Sequence, residues 1–265
     1  MKQAITQYLM VILLVVGSYL LGVYKTKTEF LEKGASINAV VATAQPTEEI
    51  AQTIKAVDMA KVESLFKDQK NIVLGRPDAK LKFVEFSDPS CPFCHVAAGY
   101  NPELAKQMNP GFIPVANGGT YVPPVQEIKK LIDSGKAAML WLYTPGHGNG
   151  ELGAMASYCA NEQGKFWEAH DKLMTNEGYT LLNDKIKNDK TKFVELASFL
   201  QGTVDTNKLK TCFDSRKYEG RISSDPQIAQ DFGYQATPTF FINDKVVEGA
   251  SSWDTAFKRI VEPLL

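Results

Sequence analysis

The stretch Asp88-Pro89-Ser90-Cys91-Pro92-Phe93-Cys94-His95 places two cysteines two residues apart, directly after a strand-like apolar run and directly before a helix-like one. A thiol in the first turn of a helix faces unpaired backbone N–H groups and the positive end of the helix dipole, and both favour the thiolate. Pro92 suits the first helical position because it lacks the N–H that would go unpaired there. The pattern predicts a redox centre in which Cys91 is the exposed nucleophile and Cys94 the more shielded resolving partner.

Three alternatives for the cysteine pair stay open: a structural disulfide, one half of a zinc site, or chance spacing. Zinc is disfavoured because the sequence holds no second Cys-x-x-Cys pair, and its three histidines, His95, His147 and His170, are not spaced as ligand pairs. We therefore predict no bound metal and no cofactor.

The bulk composition is that of a globular protein. The 265 residues are 44% hydrophobic and 22% charged, which is enough apolar material for a sizeable core. The formal net charge of −1 gives no reason to expect nucleic acid as a partner. The length allows one large domain or a domain that carries an insertion.

The N-terminus contains an uncharged apolar run from Tyr8 to Tyr24. As a helix it would be roughly 25 Å long, at the short limit for spanning a bilayer. A cleaved signal peptide is the main alternative, but the first Ala-x-Ala, Ala42-Thr43-Ala44, lies far downstream of the run. A core helix of the folded domain is a third reading. We expect residues 1–24 to be a membrane anchor or signal sequence, with the uncleaved anchor favoured.

A linker and an amphipathic helix are expected over residues 25–70. Residues from Lys25 to Gln45 show no strong period, whereas Pro46 opens a helix-like stretch whose apolar residues fall on roughly one face as far as Phe66. This stripe would pack on the body of its own domain or, alternatively, form a homo-oligomer.

Strand-like runs flank a long helical block. Leu81 to Phe86 and Ala137 to Tyr143 read as buried strands, and Ala236 to Ile242 places Pro238 at the mouth of a third. Between the second and third runs, Glu151 to Tyr234 is mainly helical. The order predicts an α/β fold with the cysteine pair at the C-terminal end of a buried strand, where open α/β sheets place their chemistry.

Several side chains in these elements have two readings. Glu85 would either face water or lie inside the fold as a proton acceptor with a raised pKa. Cys159 and Cys212 would pair in an oxidising compartment or stay separate buried thiols. His170, on a helical stripe, is read as a core histidine with its hydrogen bonds satisfied. The loop from Asn109 to Pro124 is either partner-facing or an idle surface excursion.

These features together resemble the thioredoxin superfamily and, within it, the bacterial DsbA-like thiol:disulfide interchange proteins. The matching pieces are Gly75 to Asp78, Val84 to Asp88, the Cys91-Pro92-Phe93-Cys94 centre, Tyr158 to Trp167, and Gly233 to Phe241. The resemblance covers roughly Ile72 to Leu264. It implies a thioredoxin-like domain over residues 71–265 with a helical insertion at about 151–234, preceded by the N-terminal transmembrane anchor and the amphipathic helix.

The resemblance also implies roles for individual residues. Cys91 would be the attacking cysteine, Cys94 the resolving one and Glu85 the buried acid that handles its proton. Thr237-Pro238 would form a cis peptide bond that faces the pair and holds the backbone open for a substrate strand.

Two further expectations come from the same resemblance. Cys159 and Cys212 look similar to the second, structural cysteine pair of some relatives. The active-site dipeptide is Pro92-Phe93, and Phe93 stands where strong oxidants of the family often have His, so the direction of exchange is not decided by the dipeptide.

The expected function is thiol-disulfide exchange on cysteine-containing protein substrates outside the cytoplasm, in the oxidase direction, with a membrane redox partner that resets the pair. Isomerase or reductase activity is the alternative. A redox-inactive chaperone or copper-handling protein is the alternative of another class. The expected location is the bacterial inner membrane, single-pass through Tyr8 to Tyr24 with the catalytic domain in the periplasm, or a soluble periplasmic protein after signal cleavage.

Overall fold

The structure is a computed structural model that describes residues 55–68 and 70–265. The predicted anchor Tyr8 to Tyr24 lies outside these residues. Within the described ranges, no helix is both long enough and apolar enough to cross a bilayer. The described residues include all four cysteines.

A five-stranded mixed sheet forms the centre of the domain. The strands are β1 (Val73–Gly75), β2 (Leu81–Ser87), β3 (Ala137–Tyr143), β4 (Thr239–Ile242) and β5 (Lys245–Glu248). Their spatial order is β1-β3-β2-β4-β5, and only the β2–β3 pairing in this described sheet is parallel. The predicted α/β class is confirmed, and β2, which leads to the cysteines, occupies the middle of the sheet.

Both faces of the central strands are covered, which explains why β3 is a continuous apolar run and why β2 shows no regular alternation of polar and apolar residues. All seven residues of β2 and all seven of β3 are buried. On one face Phe83 packs with Met139 and Trp141. On the other face Val84 and Phe86 join a second apolar cluster. A side chain of β2 is therefore inside the protein whichever face it points to.

Helices surround the sheet and form the insertion. They are α1 (Met59–Lys67), α2 (Pro92–Ala98), α3 (Pro102–Met108), α4 (Pro124–Asp133), α5 (Glu151–Asn161), α6 (Phe166–Leu173), α7 (Asn176–Thr180), α8 (Phe193–Phe199), α9 (Thr206–Asp214), α10 (Glu219–Asp231) and α11 (Lys258–Val261). The insertion, α5 to α10, enters after β3 and returns to β4. Most of its helices share an apolar cluster of their own, which includes Leu173, Leu196 and Leu209.

A disulfide joins two helices of the insertion. Cys159 in α5 and Cys212 in α9 are bonded, with their Cα atoms 5.8 Å apart. Both cysteines are buried within the apolar cluster of the insertion. The bond closes a loop of 53 residues across that cluster.

The predicted continuous helix from Pro46 to Phe66 is wrong where the structure describes it. Residues 55–58 are extended, and Ala56 forms an antiparallel bridge with Lys245 of β5. Helix α1 begins only at Met59, because the Asp58 side chain accepts a hydrogen bond from the Ala60 N–H and caps it. Val62 and Phe66 are buried in the cluster on the β2 face opposite Phe83. The described part of the stripe thus packs on its own domain.

The helix that starts at the cysteines is short because two residues end it. Gly99 takes a left-handed conformation, with φ of 77°, and its N–H donates to the carbonyl of His95. A Cβ there would also overlap Pro123. Asn101 then caps a new helix, α3, by accepting from the Leu104 N–H at 3.1 Å. The helix therefore breaks completely after Ala98, and Pro102 occupies the first position of the new helix α3.

The segment from Asn109 to Pro124 is ordered by backbone hydrogen bonds. It contains two short 3-10 turns, Pro110–Phe112 and Val115–Asn117. Tyr121 donates to the Ile113 carbonyl at 3.1 Å and accepts from the Val115 N–H at 2.9 Å. These contacts hold the Phe112 and Tyr121 rings 5.9 Å apart, edge to face.

Candidate active site

The two cysteines lie where β2 leads into α2. Cys91 is the residue before the first helical turn, and Pro92 occupies the first helical position, as the sequence predicts. Both thiols are free and buried, Cys91 at 4% exposure and Cys94 at 1%. The prediction that Cys91 is exposed is therefore wrong in this structure, although Cys91 is the more open of the two thiols.

The Cys91 thiol is surrounded by groups that stabilise its thiolate. A hydrogen bond from the Cys94 thiol is the largest influence and lowers the pKa of Cys91 from 9.0 to about 6, against an opposing effect of burial. Thr237 and the backbone N–H groups of Phe93 and Cys94 act in the same direction as the Cys94 thiol. Near neutral pH, Cys91 is therefore the thiolate of the pair.

Cys94 has the opposite character. Burial is the main reason why the pKa of Cys94 is raised well above 9.0, and the neighbouring Cys91 raises it further. The backbone N–H of Asp88 donates to its Sγ at 3.4 Å and opposes this rise only partly. One thiol of the pair is ready to attack, and the other must lose a proton before it can do so.

Asp88 connects the cysteine loop to the loop after β3. Its buried carboxylate accepts from the N–H and the hydroxyl of Ser90, both at 2.7 Å, through one oxygen. The other oxygen accepts from the N–H groups of Gly146 at 2.7 Å and His147 at 2.9 Å. Sequence reasoning missed this role. The available signal was an aspartate directly after a strand rich in apolar residues.

His95 and Asn183 also contact the loop that precedes Cys91. The two ring nitrogens of His95 lie 2.9 Å from the carbonyl oxygens of Pro89 and Met174. The Asn183 amide donates to the Ser90 carbonyl at 3.1 Å, from the insertion. The backbone before Cys91 is thus fixed by contacts to the insertion on one side and to α2 on the other.

The Thr237-Pro238 bond faces the cysteine pair and is cis. The Cys91 Sγ lies 3.5 Å from the carbonyl oxygen of Thr237 and would donate to it only in the protonated thiol form. Gly146 approaches from the third side, and a Cβ on it would overlap the Thr237 hydroxyl and contact Cys91. Only glycine leaves room at this close approach.

An open cleft of about 600 Å³ is lined by Phe93, which stands between the two cysteines in the sequence, and by Thr237, which faces Cys91. Phe93 stands at its edge, 44% exposed, and contacts Phe112 edge to face at 6.2 Å. The lining includes Phe112, Tyr121, Thr237, Gly249 and Ser252. The segment Asn109 to Pro124, for which the sequence left two readings, supplies two of these aromatic walls.

Glu85 points into the fold and not into water. It is 1% exposed, on β2, two residues before Ser87 on the same face. Burial raises the pKa of Glu85 from 4.5 to about 6, while His170 and Ser87 act in the opposite direction. The structure thus places Glu85 on the interior side that also holds Ser87, a neighbour of Cys94.

Comparison with known proteins gives a family match in the C-terminal part. The family model described as Thioredoxin matches residues 124–262, just over half of the chain. The match begins after the cysteine pair, so the pair itself lies outside it.

Curated relatives fall into two kinds. Disulfide bond formation protein D of Bacillus subtilis (strain 168) is 28% identical over 203 residues, which are 72% of this chain and 76% of that protein. Na(+)/H(+) antiporter NhaA 3 of Salinispora tropica is 26% identical over 177 residues, 65% of this chain. The chain spans only 22% of that antiporter's length.

Among solved structures, the crystal structure of oxidised BdbD from Bacillus subtilis superposes with a TM-score of 0.52 at 23% identity. The superposition covers 80% of this chain and 97% of that one. This likeness concerns the fold: a thioredoxin-like sheet that carries a helical insertion.

Proposed function

Because the chain belongs to the thioredoxin family and is a DsbA-like thiol-disulfide oxidoreductase, we propose that it oxidises cysteine-containing proteins outside the cytoplasm. Cys91 is the thiol that exchanges with substrate, Cys94 resolves, and Glu85 takes the Cys94 proton. The observation that carries the proposal is the opposite displacement of the two thiol pKa values, that of Cys91 downward and that of Cys94 upward.

The oxidase direction follows from the stabilised Cys91 thiolate. A thiolate stabilised in the reduced protein makes its disulfide easier to reduce, and therefore a stronger oxidant. A substrate thiolate attacks Cys91 Sγ, the Cys91–Cys94 bond breaks, and Cys94 leaves as a thiolate that takes up a proton. A second substrate thiolate then attacks the substrate sulfur and displaces the Cys91 thiolate. The substrate loses two electrons, which the cysteine pair gains.

The cleft supports a protein substrate. An extended segment that carries a cysteine would lie along Thr237, with its apolar side chains against Phe93 and Phe112. The partner that returns the pair to the disulfide would be a membrane redox protein, which accepts the two electrons through the same Cys91 thiol.

The reduction potential of the Cys91/Cys94 pair tests the direction. We expect a value nearer about −120 mV than about −270 mV in equilibrium with glutathione. A potential near the lower value would overturn the oxidase proposal and favour a reductase. Cys91→Ser should abolish oxidation of a reduced protein substrate. Cys94→Ser, mixed with a disulfide-bonded peptide, should accumulate the mixed disulfide that the Cys91 thiolate forms by attack on that bond.

The cleft itself is tested by Phe112→Ala. This variant should lower kcat/KM for a reduced protein substrate but leave the rate with a small dithiol unchanged, because only the protein reaches the Phe112 wall. Val115→Ala is the matched control, since Val115 lies in the same segment but is 56% exposed. An equal loss of rate with the protein substrate and with the small dithiol would contradict a substrate-binding role of Phe112.

The location outside the cytoplasm is supported by the Cys159–Cys212 disulfide, because such bonds persist in oxidising compartments. We propose that the segment Tyr8 to Tyr24 directs the chain out of the cytoplasm as an uncleaved membrane anchor, with a cleaved signal peptide as the alternative. A phosphatase that works only outside the cytoplasm, fused after Leu265, should be active. A fully synthesised but inactive fusion would contradict the orientation.

We also propose that the segment Pro46 to Phe66 forms a homo-oligomer, with fewer of its residues free for the contact than the sequence suggested. Val62 and Phe66 already pack inside their own domain, so only other residues of that segment could form the contact. Light scattering of the purified chain with and without residues 1–54 would show whether any self-association depends on it.

A further inference from the structure

Cys91 is closely surrounded, although its thiol has to meet other sulfur atoms. The residue is 4% exposed. The Thr237 carbonyl oxygen lies 3.5 Å from its Sγ, and Cys94 lies beside it in α2. Among the described residues that line the cleft, Thr237 is present but Cys91 is not. Since thiol-disulfide exchange needs room for an incoming sulfur at Sγ, the groups that enclose this atom decide which thiols reach it.

Gly146 forms part of the wall around Cys91. A Cβ built on Gly146 would overlap the Thr237 hydroxyl and lie 3.4 Å from the Cys91 Cβ. Gly146 belongs to residues 145–150, which follow β3 and are called here the 145–150 loop. Residues 145–148 of this loop are exposed. The loop therefore lies between this side of Cys91 and the solvent.

One set of contacts to the 145–150 loop comes from the residues just before the reacting thiol. The Asp88 carboxylate accepts from the Gly146 and His147 N–H groups at 2.7 and 2.9 Å. The Ser90 hydroxyl accepts from the Asn149 N–H at 3.1 Å. These bonds fix the inner side of the loop to the cysteine loop.

A second set of contacts comes from the helical insertion. Asn149 Nδ2 donates to Asn183 Oδ1 at 3.1 Å. Asn188 Nδ2 donates to the Gly148 carbonyl at 2.9 Å, and Asn188 Oδ1 accepts from the Leu152 N–H at 3.4 Å. Two asparagines of the insertion therefore hold the outer part of the 145–150 loop.

The backbone at Asn188 is unusual. The π-helical turn Leu181–Ile186 is followed by two consecutive residues with left-handed backbone, Lys187 with φ of 49° and Asn188 with φ of 60°. L side chains seldom adopt this region, although asparagine does so more readily than most. Such conformations persist where the surroundings fix them, and they are frequent at functional sites. Here the Asn188 amide that follows this turn is bonded to the Gly148 carbonyl.

We propose that the 145–150 loop is a steric filter over Cys91, and that Asn183 and Asn188 are positioning residues that hold it in place. The inference rests on the proposed role of Cys91 as the thiol that exchanges with substrate. A narrow thiol, such as a cysteine on an extended chain, reaches Cys91 from the Thr237 side. A thiol that carries a wide group meets the loop first, so it reacts slowly as long as the insertion holds the loop.

The filter acts on access to the thiol and not on its ionisation. The groups that lower the pKa of Cys91 are Cys94 first, then Thr237 and the backbone of Phe93. These groups lie outside the 145–150 loop. Loosening the loop should therefore change how fast wide reagents reach Cys91 but not the pH at which its thiolate forms. A general distortion of the site would change both.

Asn188→Gly tests the proposal in the full chain, with the Cys91/Cys94 pair reduced. Glycine adopts a left-handed backbone without strain, so the variant should fold, while both hydrogen bonds of the Asn188 side chain are lost. The measurement compares the rates at which Cys91 reacts with iodoacetamide and with a wide, uncharged pyrene iodoacetamide, and mass spectrometry identifies the modified cysteine. The ratio of the pyrene rate to the small-reagent rate should rise about three- to tenfold, as expected from the loss of ordinary hydrogen bonds.

Lys187→Gly is the matched control. Lys187 has the same left-handed backbone, but its side chain is exposed. This variant should leave the ratio of rates unchanged.

Asn188→Asp provides a second test, because aspartate tolerates the same backbone but its carboxylate cannot donate to the Gly148 carbonyl. It should raise the ratio as Asn188→Gly does, and it decides the matter if Asn188→Gly does not fold.

Three results would overturn the proposal. One is an unchanged ratio in the folded Asn188 variants. Another is a wild-type chain whose ratio already equals that of a free cysteine peptide, since nothing would then be filtered. The third is a shift of the Cys91 titration midpoint large enough to account for the change in rate, which would assign the effect to the thiolate.

Failure of the proposed function gives a different result. If the Cys91→Ser chain still oxidises a reduced protein substrate, Cys91 is not the exchanging thiol and the proposed function is wrong, whatever the alkylation rates are. If Cys91 is required for oxidation but the ratio stays constant in Asn188→Gly and Asn188→Asp, only the steric filter is wrong.

Discussion

Asp88 accepts a hydrogen bond from the backbone N–H of Gly146 at 2.7 Å, across 58 residues of sequence. The same carboxylate also holds Ser90 and the His147 N–H. The loop before Cys91 and the loop after β3 therefore share one buried anion, which fixes the two backbones at the approach to the cysteine pair.

Replacement of Asp88 by alanine should destabilise the protein by about 3 kcal/mol, because several buried donors lose a charged acceptor at once. Asp88→Asn should cost less, since one amide oxygen still accepts. Denaturant unfolding measures both. Asp78→Asn is the control: Asp78 is exposed and paired only with Arg76, so its change should stay within about 0.5 kcal/mol. Equal stability of Asp88→Ala and the wild type would contradict the role of the carboxylate.

Titration of the Cys91 thiolate by its ultraviolet absorbance should give a midpoint near pH 6 in the reduced protein. Cys94→Ala should move this midpoint upward, because the hydrogen bond from the Cys94 thiol is the largest stabilising influence on the thiolate. Alkylation rates of Cys91 should follow the same curve. A midpoint near 9 in the unsubstituted chain would show that the surroundings do not stabilise the thiolate.

Glu85→Gln should make the protein more stable at neutral pH. The folded-state pKa of Glu85 is raised from 4.5 to about 6. The stability that the protonated carboxyl group contributes is therefore complete below pH 4.5 and is lost as the pH rises through about 6. The ionised carboxylate then costs about 2 kcal/mol, which the variant removes. Stability curves of both proteins should diverge with rising pH. Parallel curves would mean that Glu85 titrates normally.

Removal of both insertion cysteines, in Cys159→Ala/Cys212→Ala, should lower stability by about 4 kcal/mol, because the unfolded chain regains the freedom of a 53-residue loop. Thiol-disulfide exchange at Cys91 should persist, since the insertion cluster is separate from the cysteine pair. Unfolding under oxidising conditions measures the first point and a reduced protein substrate the second. A loss below about 1 kcal/mol would contradict the loop-closure argument.

Local patterns were sufficient for the strands and for the cysteine pair. Pro92 after Cys91 fixes where α2 starts, and the high apolar content of β2 and β3 identifies strands buried on both faces. That same double burial is why the orientation of Glu85 could not be predicted. Where every residue of a strand is buried, alternation carries no information about which face is inside.

Contacts between distant segments account for the rest. Asp88 meets Gly146 through folding of the whole chain, so its role does not follow from spacing in the sequence. His170 was expected to be a satisfied core histidine, and it is buried, yet its Nε2 lacks a partner among the described residues. The helix expected from Pro46 failed at residues 55–58 because pairing with Lys245 outweighs the local helical pattern.

The bridge between Ala56 and Lys245 has a consequence for how the domain behaves beside other chains. The Lys55 carbonyl accepts from Val246 at 3.0 Å, and the Val57 N–H donates to Asp244 at 2.8 Å. The start of the outermost strand β5 is therefore occupied by the chain's own backbone. An open strand edge invites pairing with other chains and aggregation, so this short pairing protects the start of the β5 edge from such contacts.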